Sequence, residues 1–302
     1  MTRTTIALAA AVSVIVGGPA WADPTPPTLT ASIGDVRLFG TAVVSGQLQP
    51  PHPGEAVRVE LLLDGKPVGS ADVTPADGST FSAGFDVERP GTYSGRVTFD
   101  GAQHDPIQAV TETRKVAFPN KLRPGSKGPT VRALEERLTD LGYYLRRPNE
   151  RLDRWTADAV LAFHKVQGMR RGTTVRRATW RRLMDPRTPR PKTKQPSSHI
   201  EVDQGRQVLY VVRDGEIDEI VHVSTGAGGA TRDGTFRVHR KLEGYSPNRL
   251  FYPSYFDGLR AVHGWPDVPV TPASHGCVRV SMWAAKHMYQ VMRYGMVVRV
   301  YH

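Results

Sequence analysis

Residues 261–279 read AVHGWPDVPVTPASHGCVR and contain the single cysteine of the chain, Cys277, directly after His275 and Gly276. A free cysteine is more often a buried small apolar residue than a nucleophile. Here, however, His263 lies upstream at the end of a predicted strand, and the following loop can return the cysteine to face the imidazole. A thiol of ordinary pKa, about 8.5, needs such a base to react at neutral pH. The pattern therefore favours thiol chemistry.

The turn that carries this cysteine also contains a glycine. Backbone N–H groups around residues 275–277 could hold the oxyanion that forms when a thiolate attacks a carbonyl group, and each such donor is typically worth about 3 kcal/mol. The stretch could thus supply a nucleophile, a base and backbone donors for an oxyanion.

The run HG at 263–264, followed by SHGCVR at 274–279, resembles the L,D-transpeptidase catalytic domain, also called the YkuD domain. The match extends through VSTGAGGATRDGTFRV and covers about residues 199–302. The resemblance implies that Cys277 is the nucleophile, that His263 is the general base and that the carbonyl group of Gly264 orients the histidine. It also implies roles for four neighbours: His275 and Gly276 shape the oxyanion site, Ser274 supports the turn, and Arg279 helps to organise the pocket and bind the donor stem.

Two departures from the family pattern concern the substrate side. Thr231-Arg232 stands where the family usually has Thr-Pro, which removes a stiff turn residue. The stretch 245–256, where substrate lids lie in the family, is rich in aromatic residues that do not align. Four aromatic side chains either line a stem-peptide groove or belong to the core: Tyr245, Tyr252, Tyr255 and Trp265.

The resemblance implies a reaction on peptidoglycan stem peptides that forms 3–3 cross-links through a cysteine thioester, with no metal or cofactor. It also implies that carbapenem-type β-lactams acylate Cys277. Two alternatives stay open. Water as the acceptor would make the protein an L,D-carboxypeptidase, and loss of activity would leave a non-catalytic wall-binding protein.

The rest of this C-terminal segment has a β-rich pattern with one helix. Alternating runs separated by turn residues predict strands at 199–202, 207–212, 217–224, 235–240, 259–263 and 297–301, and a helix near 282–292. His222, His239 and His287 have no acidic or cysteine partners at metal-ligand spacing, so we interpret them as structural.

The middle segment, residues 119–184, changes to helical periodicity. Val131, Leu134, Leu138 and Leu141 fall on one helical face, and Gly142 is a plausible stop. A second helix contains residues 159–166, with Thr156 as a possible cap and Gly168 as its stop, and a third lies near residues 180–184. The pattern predicts a small three-helix bundle.

LRPGSKGPTVRALEERLTDLGYY, TADAVLAFHKVQG and ATWRRLM in this segment resemble the peptidoglycan-binding domain of wall hydrolases and transpeptidases, over about residues 122–184. Glu135 and His164 replace residues where the family favours glutamine. The fold does not depend on these two positions, whereas sugar or peptide binding does, because the amide groups are replaced by groups of different chemistry.

Positive charge is concentrated in the middle of the chain. Residues 119–198 hold 20 basic and 7 acidic residues, whereas the chain as a whole has a net charge of +11. In an exported protein this suits an anionic wall polymer, and a merely solvated basic face is the alternative. Residues 185–198, DPRTPRPKTKQPSS, predict an extended, semi-rigid linker.

Residues 23–118 consist of short β-rich runs separated by turns. Strands are predicted at 41–48, 57–63, 81–87, 93–99 and 110–116, a spacing typical of a small antiparallel sandwich. VELLLDGKPVGSADV, DGSTFSAGFDV and PGTYSGRVTF resemble the bacterial immunoglobulin-like spacer domains of surface proteins. His52 and His104 are isolated here, and we interpret both as loop residues.

The first residues predict export. Arg3, the apolar run 6–18 and Ala20-Trp21-Ala22 form the three parts of a signal peptide over residues 1–22, with cleavage after Ala22. The apolar run is too short to span a bilayer, so an integral membrane anchor is not expected. The expected location is the cell wall, the periplasm or the extracellular space.

The sequence therefore predicts a multidomain protein with an all-β immunoglobulin-like sandwich, a helical bundle and a β-rich catalytic domain. A single cysteine excludes an internal disulfide framework and a CxxC zinc ribbon. Export argues against nucleic acid as the partner of the basic segment, and we expect a monomer.

Overall fold

A computed structural model describes residues 26–101 and 105–302. The predicted signal peptide and His104 lie outside the described residues. Within them, no helix has the length and apolar character needed to cross a membrane.

The N-terminal segment forms two antiparallel sheets around one apolar core. Their orders are β1-β2-β5 and β4-β3-β6-β7, with β8 paired to β6. Val59 and Leu61 of β3 and Val44 of β2 are fully buried, as period-2 alternation requires. The strands are β1 (Thr28–Ile33), β2 (Thr41–Gln49), β3 (Val57–Leu63), β4 (Lys66–Val73), β5 (Thr80–Asp86), β6 (Gly91–Phe99), β7 (Ile107–Val110) and β8 (Arg114–Val116).

Two details differ from the sequence prediction. The segment 110–116, predicted as one strand, is split between β7 and β8, which pair with different parts of β6. The prediction gave no bounds for β1, which pairs with β2 along its whole length, or for β4, which pairs with β3. The hairpin between β3 and β4 turns at Asp64 and Gly65, both with positive φ, as an Asp-Gly pair favours.

The middle segment contains three helices, α1 (Pro129–Asp140), α2 (Arg154–Val166) and α3 (Arg177–Met184). Helix α1 ends just before Gly142, whose left-handed backbone fits a C-terminal stop. The N-cap of α2 is Asp153 and not Thr156, because the Asp153 carboxylate accepts from the Trp155 and Thr156 amides. Thr156 is instead buried, and its hydroxyl group donates to the Glu135 carboxylate over 2.7 Å.

The C-terminal segment is built from two sheets and one helix. The sheet orders are β11-β10-β9-β17-β12 and β13-β14-β15-β16. The elements are β9 (His199–Asp203), β10 (Val208–Arg213), β11 (Glu216–His222), β12 (Gly234–Arg237), β13 (Arg240–Lys241), β14 (Phe251–Asp257), β15 (Arg260–Trp265), β16 (Val278–Ser281), α4 (Met282–Val291) and β17 (Val297–Tyr301).

Here the prediction missed β14 and β16, and it joined β12 and β13 into one strand. Strand β14 pairs with β15 through two register shifts, and Tyr252 within it has φ 50°, so its side chains do not alternate regularly. His263 lies inside β15 rather than at the end of a strand.

The three segments pack on one another. A continuous apolar cluster joins the sandwich, the helices and the outer faces of β10 and β11. Where the sandwich meets the helices, the ring centroids of Phe39 and Trp180 are 6.1 Å apart. Where the helices meet the C-terminal segment, backbone hydrogen bonds join Gly142 and Tyr144 to Ile220.

The proline-rich segment 185–198 is irregular, but it is bonded on both sides. The Gln167 amide side chain exchanges two hydrogen bonds with the Arg187 backbone. The buried Glu201 carboxylate accepts from the backbone N–H groups of Lys192 and Thr193. The segment is thus attached to the helices and to β9.

Candidate active site

The parallel pair β15 and β16 positions the predicted nucleophile and base. His263 is paired in register with Arg279, and residues opposite each other in a sheet share a face. Cys277 lies one residue before β16 and two before Arg279. A backbone hydrogen bond from Ala261 reaches it from β15. The two strands therefore bring Cys277, His263 and Arg279 together.

The His263 imidazole is held as a neutral base. Its Nδ1 lies 2.9 Å from the Gly264 carbonyl oxygen, and donation to that oxygen leaves Nε2 as the acceptor. Burial lowers the pKa of His263 to about 4, with a smaller contribution from the Arg279 charge and an opposing one from the Gly264 bond. At neutral pH the imidazole is uncharged and able to take a proton.

Cys277 is a protonated thiol in this arrangement. Burial raises its pKa above the ordinary value, while the Ala261 hydrogen bond and the charges of Arg260 and Arg279 oppose that shift. The Cys277 S–H group donates to the Leu259 carbonyl oxygen over 3.9 Å, and the Ala261 N–H donates to the sulfur. The site at rest therefore combines a neutral thiol and a neutral imidazole.

The turn before the cysteine is tied together by Ser274. The Ser274 hydroxyl group donates to the Cys277 carbonyl oxygen over 2.5 Å and accepts from the Gly276 N–H over 3.1 Å. Since that N–H is already bonded, Gly276 shapes the turn without a free donor for an oxyanion. His275 is exposed to solvent.

Gly276 is required by the geometry of the turn. Its φ is 128°, and a Cβ atom there would lie 2.7 Å from Arg260 Nε and 2.9 Å from the Ala230 carbonyl oxygen. Any larger residue would push these groups apart.

Thr231 supports the same turn from a different loop, a role that the sequence reasoning missed. Its hydroxyl group donates to the Gly276 carbonyl oxygen over 2.9 Å and accepts from the Gly226 N–H over 2.7 Å. The neighbouring Arg232, where the family has proline, forms an ion pair with Asp257. No local pattern indicates these contacts, because the partners are far apart in the sequence.

The four aromatic residues predicted for the groove or the core occupy different environments. Trp265 contacts His263 edge-on, with ring centroids 5.6 Å apart. The Arg279 guanidinium group lies over the Trp265 ring, 5.1 Å from its centroid. Tyr252 packs edge-on against Tyr289. Tyr255 is 4% exposed and belongs to the core, whereas Tyr245 is 64% exposed.

The described residues contain no group of three His, Cys, Asp or Glu side chains that could hold a metal ion. His222 bonds to Lys165 and to the Val268 carbonyl oxygen, and His287 to Glu219. His239 is exposed.

Comparison with known proteins identifies the family. The model of the L,D-transpeptidase catalytic domain, YkuD, matches residues 197–300. An L,D-transpeptidase structure from Xylanimonas cellulosilytica is 34% identical with a TM-score of 0.57, and the alignment covers 61% of this chain and 99% of that one. The chain belongs to the L,D-transpeptidase family.

Another structure, an L,D-transpeptidase from Stackebrandtia nassauensis, is 25% identical with a TM-score of 0.39, covering 62% of this chain and 98% of that chain. A comparison with curated proteins gave no match. The matched range contains β15 and β16, with His263 and Gly264 on β15, Arg279 on β16 and Cys277 directly before β16.

Proposed function

We propose that the protein is an exported peptidoglycan L,D-transpeptidase that forms 3–3 cross-links with Cys277 as nucleophile and His263 as general base. One observation carries the proposal. The neutral His263 is fixed by the Gly264 carbonyl group, and it is paired across β15 and β16 with Arg279, two residues after the only thiol of the chain.

In the first step the Cys277 sulfur attacks the carbonyl carbon of the third residue of a tetrapeptide stem. The thiol proton passes to His263 Nε2, and a thioester bond forms as the amide bond to the terminal D-alanine breaks. His263 then gives the proton to the departing amine, so free D-alanine leaves. The low pKa of His263 favours this second transfer, because its imidazolium is a strong acid.

In the second step an amine of a neighbouring stem attacks the thioester. The new amide bond forms, the C–S bond breaks, and the amine proton returns to the sulfur through His263. The energy of the cleaved peptide bond is kept in the thioester, so the reaction balances without a cofactor. Arg279, on the same face, supplies positive charge for the carboxylates of the stems.

The first test is intact-mass spectrometry of the full chain after incubation with a carbapenem. Attack by the Cys277 sulfur opens the β-lactam C–N bond, the ring nitrogen takes the proton, and one covalent adduct is expected. We expect no adduct on Cys277→Ala and slower formation on His263→Ala.

The exposed His239 provides the matched control, and His239→Ala should react like the original protein. Absence of an adduct on well-folded original protein, or an equal adduct on Cys277→Ala, would refute the proposal. Muropeptide products then identify the acceptor: cross-linked dimers support transpeptidation, whereas tripeptides alone indicate an L,D-carboxypeptidase.

The helical segment enters the proposal as a wall-binding module. Its basic surface suits anionic wall polymers through attraction that salt screens. Sedimentation with purified walls at low and high salt measures this attraction separately from the reaction.

A further inference from the structure

The loop 266–273, which joins β15 to the turn of Cys277, is held by the helical segment. Arg171, after α2, donates from Nη1 to the Val270 carbonyl oxygen and from Nη2 to the Gly205 carbonyl oxygen, both over 2.8 Å. One guanidinium group therefore ties the loop to the segment between β9 and β10. Its planar fork suits two simultaneous acceptors.

A second connection starts from the buried Lys165 of α2. Its Nζ lies 2.9 Å from the Gln207 carbonyl oxygen, 3.1 Å from that of Val223 and 2.7 Å from His222 Nδ1. Burial lowers the pKa of Lys165 to about 6, but the three acceptors around its Nζ match the three N–H groups of the ammonium form. The other ring nitrogen of His222 lies 3.0 Å from the Val268 carbonyl oxygen, so this route reaches the same loop.

From Gln207 the contacts continue to the cysteine. The Gln207 side chain donates to the Thr225 hydroxyl group over 2.7 Å and accepts from the Thr225 N–H over 2.8 Å. The Thr225 carbonyl oxygen accepts from the N–H groups of Ala273 and Ser274 over 2.8 and 3.0 Å. Ser274 in turn bonds to the Cys277 carbonyl oxygen.

We propose that Arg171 and Lys165 of the helical segment are positioning residues that hold the loop 266–273 and thereby place Cys277 against His263. The proposal rests on the proposed function, because it assigns these residues a part in that reaction. Acyl transfer depends on sub-ångström placement of the attacking atom, and a displacement of about 1 Å can reduce the rate about a hundredfold. The module would thus contribute to catalysis as well as to binding.

Arg171 is the better residue for a test. It is partly exposed, and Val270, which it contacts, is 38% exposed, so water can reach the carbonyl group that its removal would free. Lys165 is 4% exposed, and its removal would leave buried acceptors without a donor, which endangers folding. Arg170 is an exposed neighbour of the same charge and serves as the matched control.

The experiment measures carbapenem acylation of Cys277 under saturating conditions in the full chain. For Arg171→Ala we expect the maximal acylation rate constant to fall about tenfold, with the apparent dissociation constant unchanged to within about twofold and Tm to within about 2 °C. Arg171→Lys, which can still donate to one carbonyl group, should recover part of the rate. Arg170→Ala should match the original protein.

Equal rate constants in Arg171→Ala and Arg170→Ala would overturn the inference. A weaker apparent affinity in both variants with unchanged maximal rates would also overturn it, since that indicates general attraction by positive charge. A failure of the proposed function is distinguishable, because the original protein would then form no adduct. In that case the rate of Cys277 alkylation by iodoacetamide tests the role of Arg171. A slower reaction in Arg171→Ala than in Arg170→Ala supports the positioning of Cys277 by Arg171, and equal rates overturn it.

Discussion

The protonation states of Cys277 and His263 have a direct kinetic consequence. Burial raises the thiol pKa and lowers the imidazole pKa to about 4, so the reactive form, with both groups neutral, predominates across the neutral range. We expect the carbapenem acylation rate to be flat between about pH 5 and 8, and to fall at lower pH as His263 becomes protonated. Stopped-flow kinetics over this range measures the profile.

The His263→Ala variant provides the internal control for this profile. Without the base, only thiolate formed by solvent can react, so its rate should rise about tenfold per pH unit up to the thiol pKa. A rising profile in the original protein, parallel to that of the variant, would show that His263 does not take the proton.

At the scale of elements, the approach of β15 to α4 constrains Gly264. A Cβ atom at this position would lie 2.6 Å from the Cβ of Ala285 and 3.1 Å from the Phe251 ring. Gly264→Ala should therefore push β15 away from α4, destabilise the fold by about 1 to 3 kcal/mol, and slow acylation because the carbonyl group that orients His263 moves. Urea unfolding and adduct formation measure the two effects.

Gly172→Ala is the matched substitution, because a Cβ atom at Gly172 would contact nothing within 4 Å. It should leave both stability and acylation close to those of the original protein. If Gly264→Ala is acylated at an unchanged rate, the Gly264 carbonyl group does not orient His263 for the reaction.

Sequence patterns predicted many of the regular elements and singled out candidate site residues. Strand β3 alternates with period 2 and was found as predicted, and so was the stop of α1 at Gly142. Strand β14 was not predicted, because its register shifts and the positive φ of Tyr252 interrupt the alternation of side chains. Regular alternation is not sufficient, however, because β1 and β16 alternate more and less exposed positions and were still missed.

The candidate site likewise contains residues that the sequence indicated and residues that it did not. The motif around Cys277 singled out Cys277, His263 and Gly264 as candidates, since these lie close together in the chain. It gave no sign of Thr231 or Arg171, whose partners Gly276 and Val270 are 45 and 99 positions away. Supporting contacts of this kind depend on tertiary packing, which no local pattern records.

At the scale of the whole molecule, the shared apolar cluster predicts cooperative behaviour. Val208, Tyr210 and Ile220 of β10 and β11 are buried in the same cluster as the helices and the sandwich. Because separate unfolding would expose these side chains, we expect one thermal transition. Differential scanning calorimetry tests this by comparing the calorimetric and van't Hoff enthalpies, which should agree. Two resolved transitions would show independent domains.

The attachment of segment 185–198 to both of its neighbours has a mechanical consequence. An enzyme on a loose tether searches a sphere whose radius is set by the tether length. Here the Gln167 and Glu201 hydrogen bonds restrain the segment, so the distance between Cys277 and the helical module is fixed. If the module binds the wall and Cys277 forms cross-links, as proposed, the protein itself sets the distance between the binding point and the new cross-link.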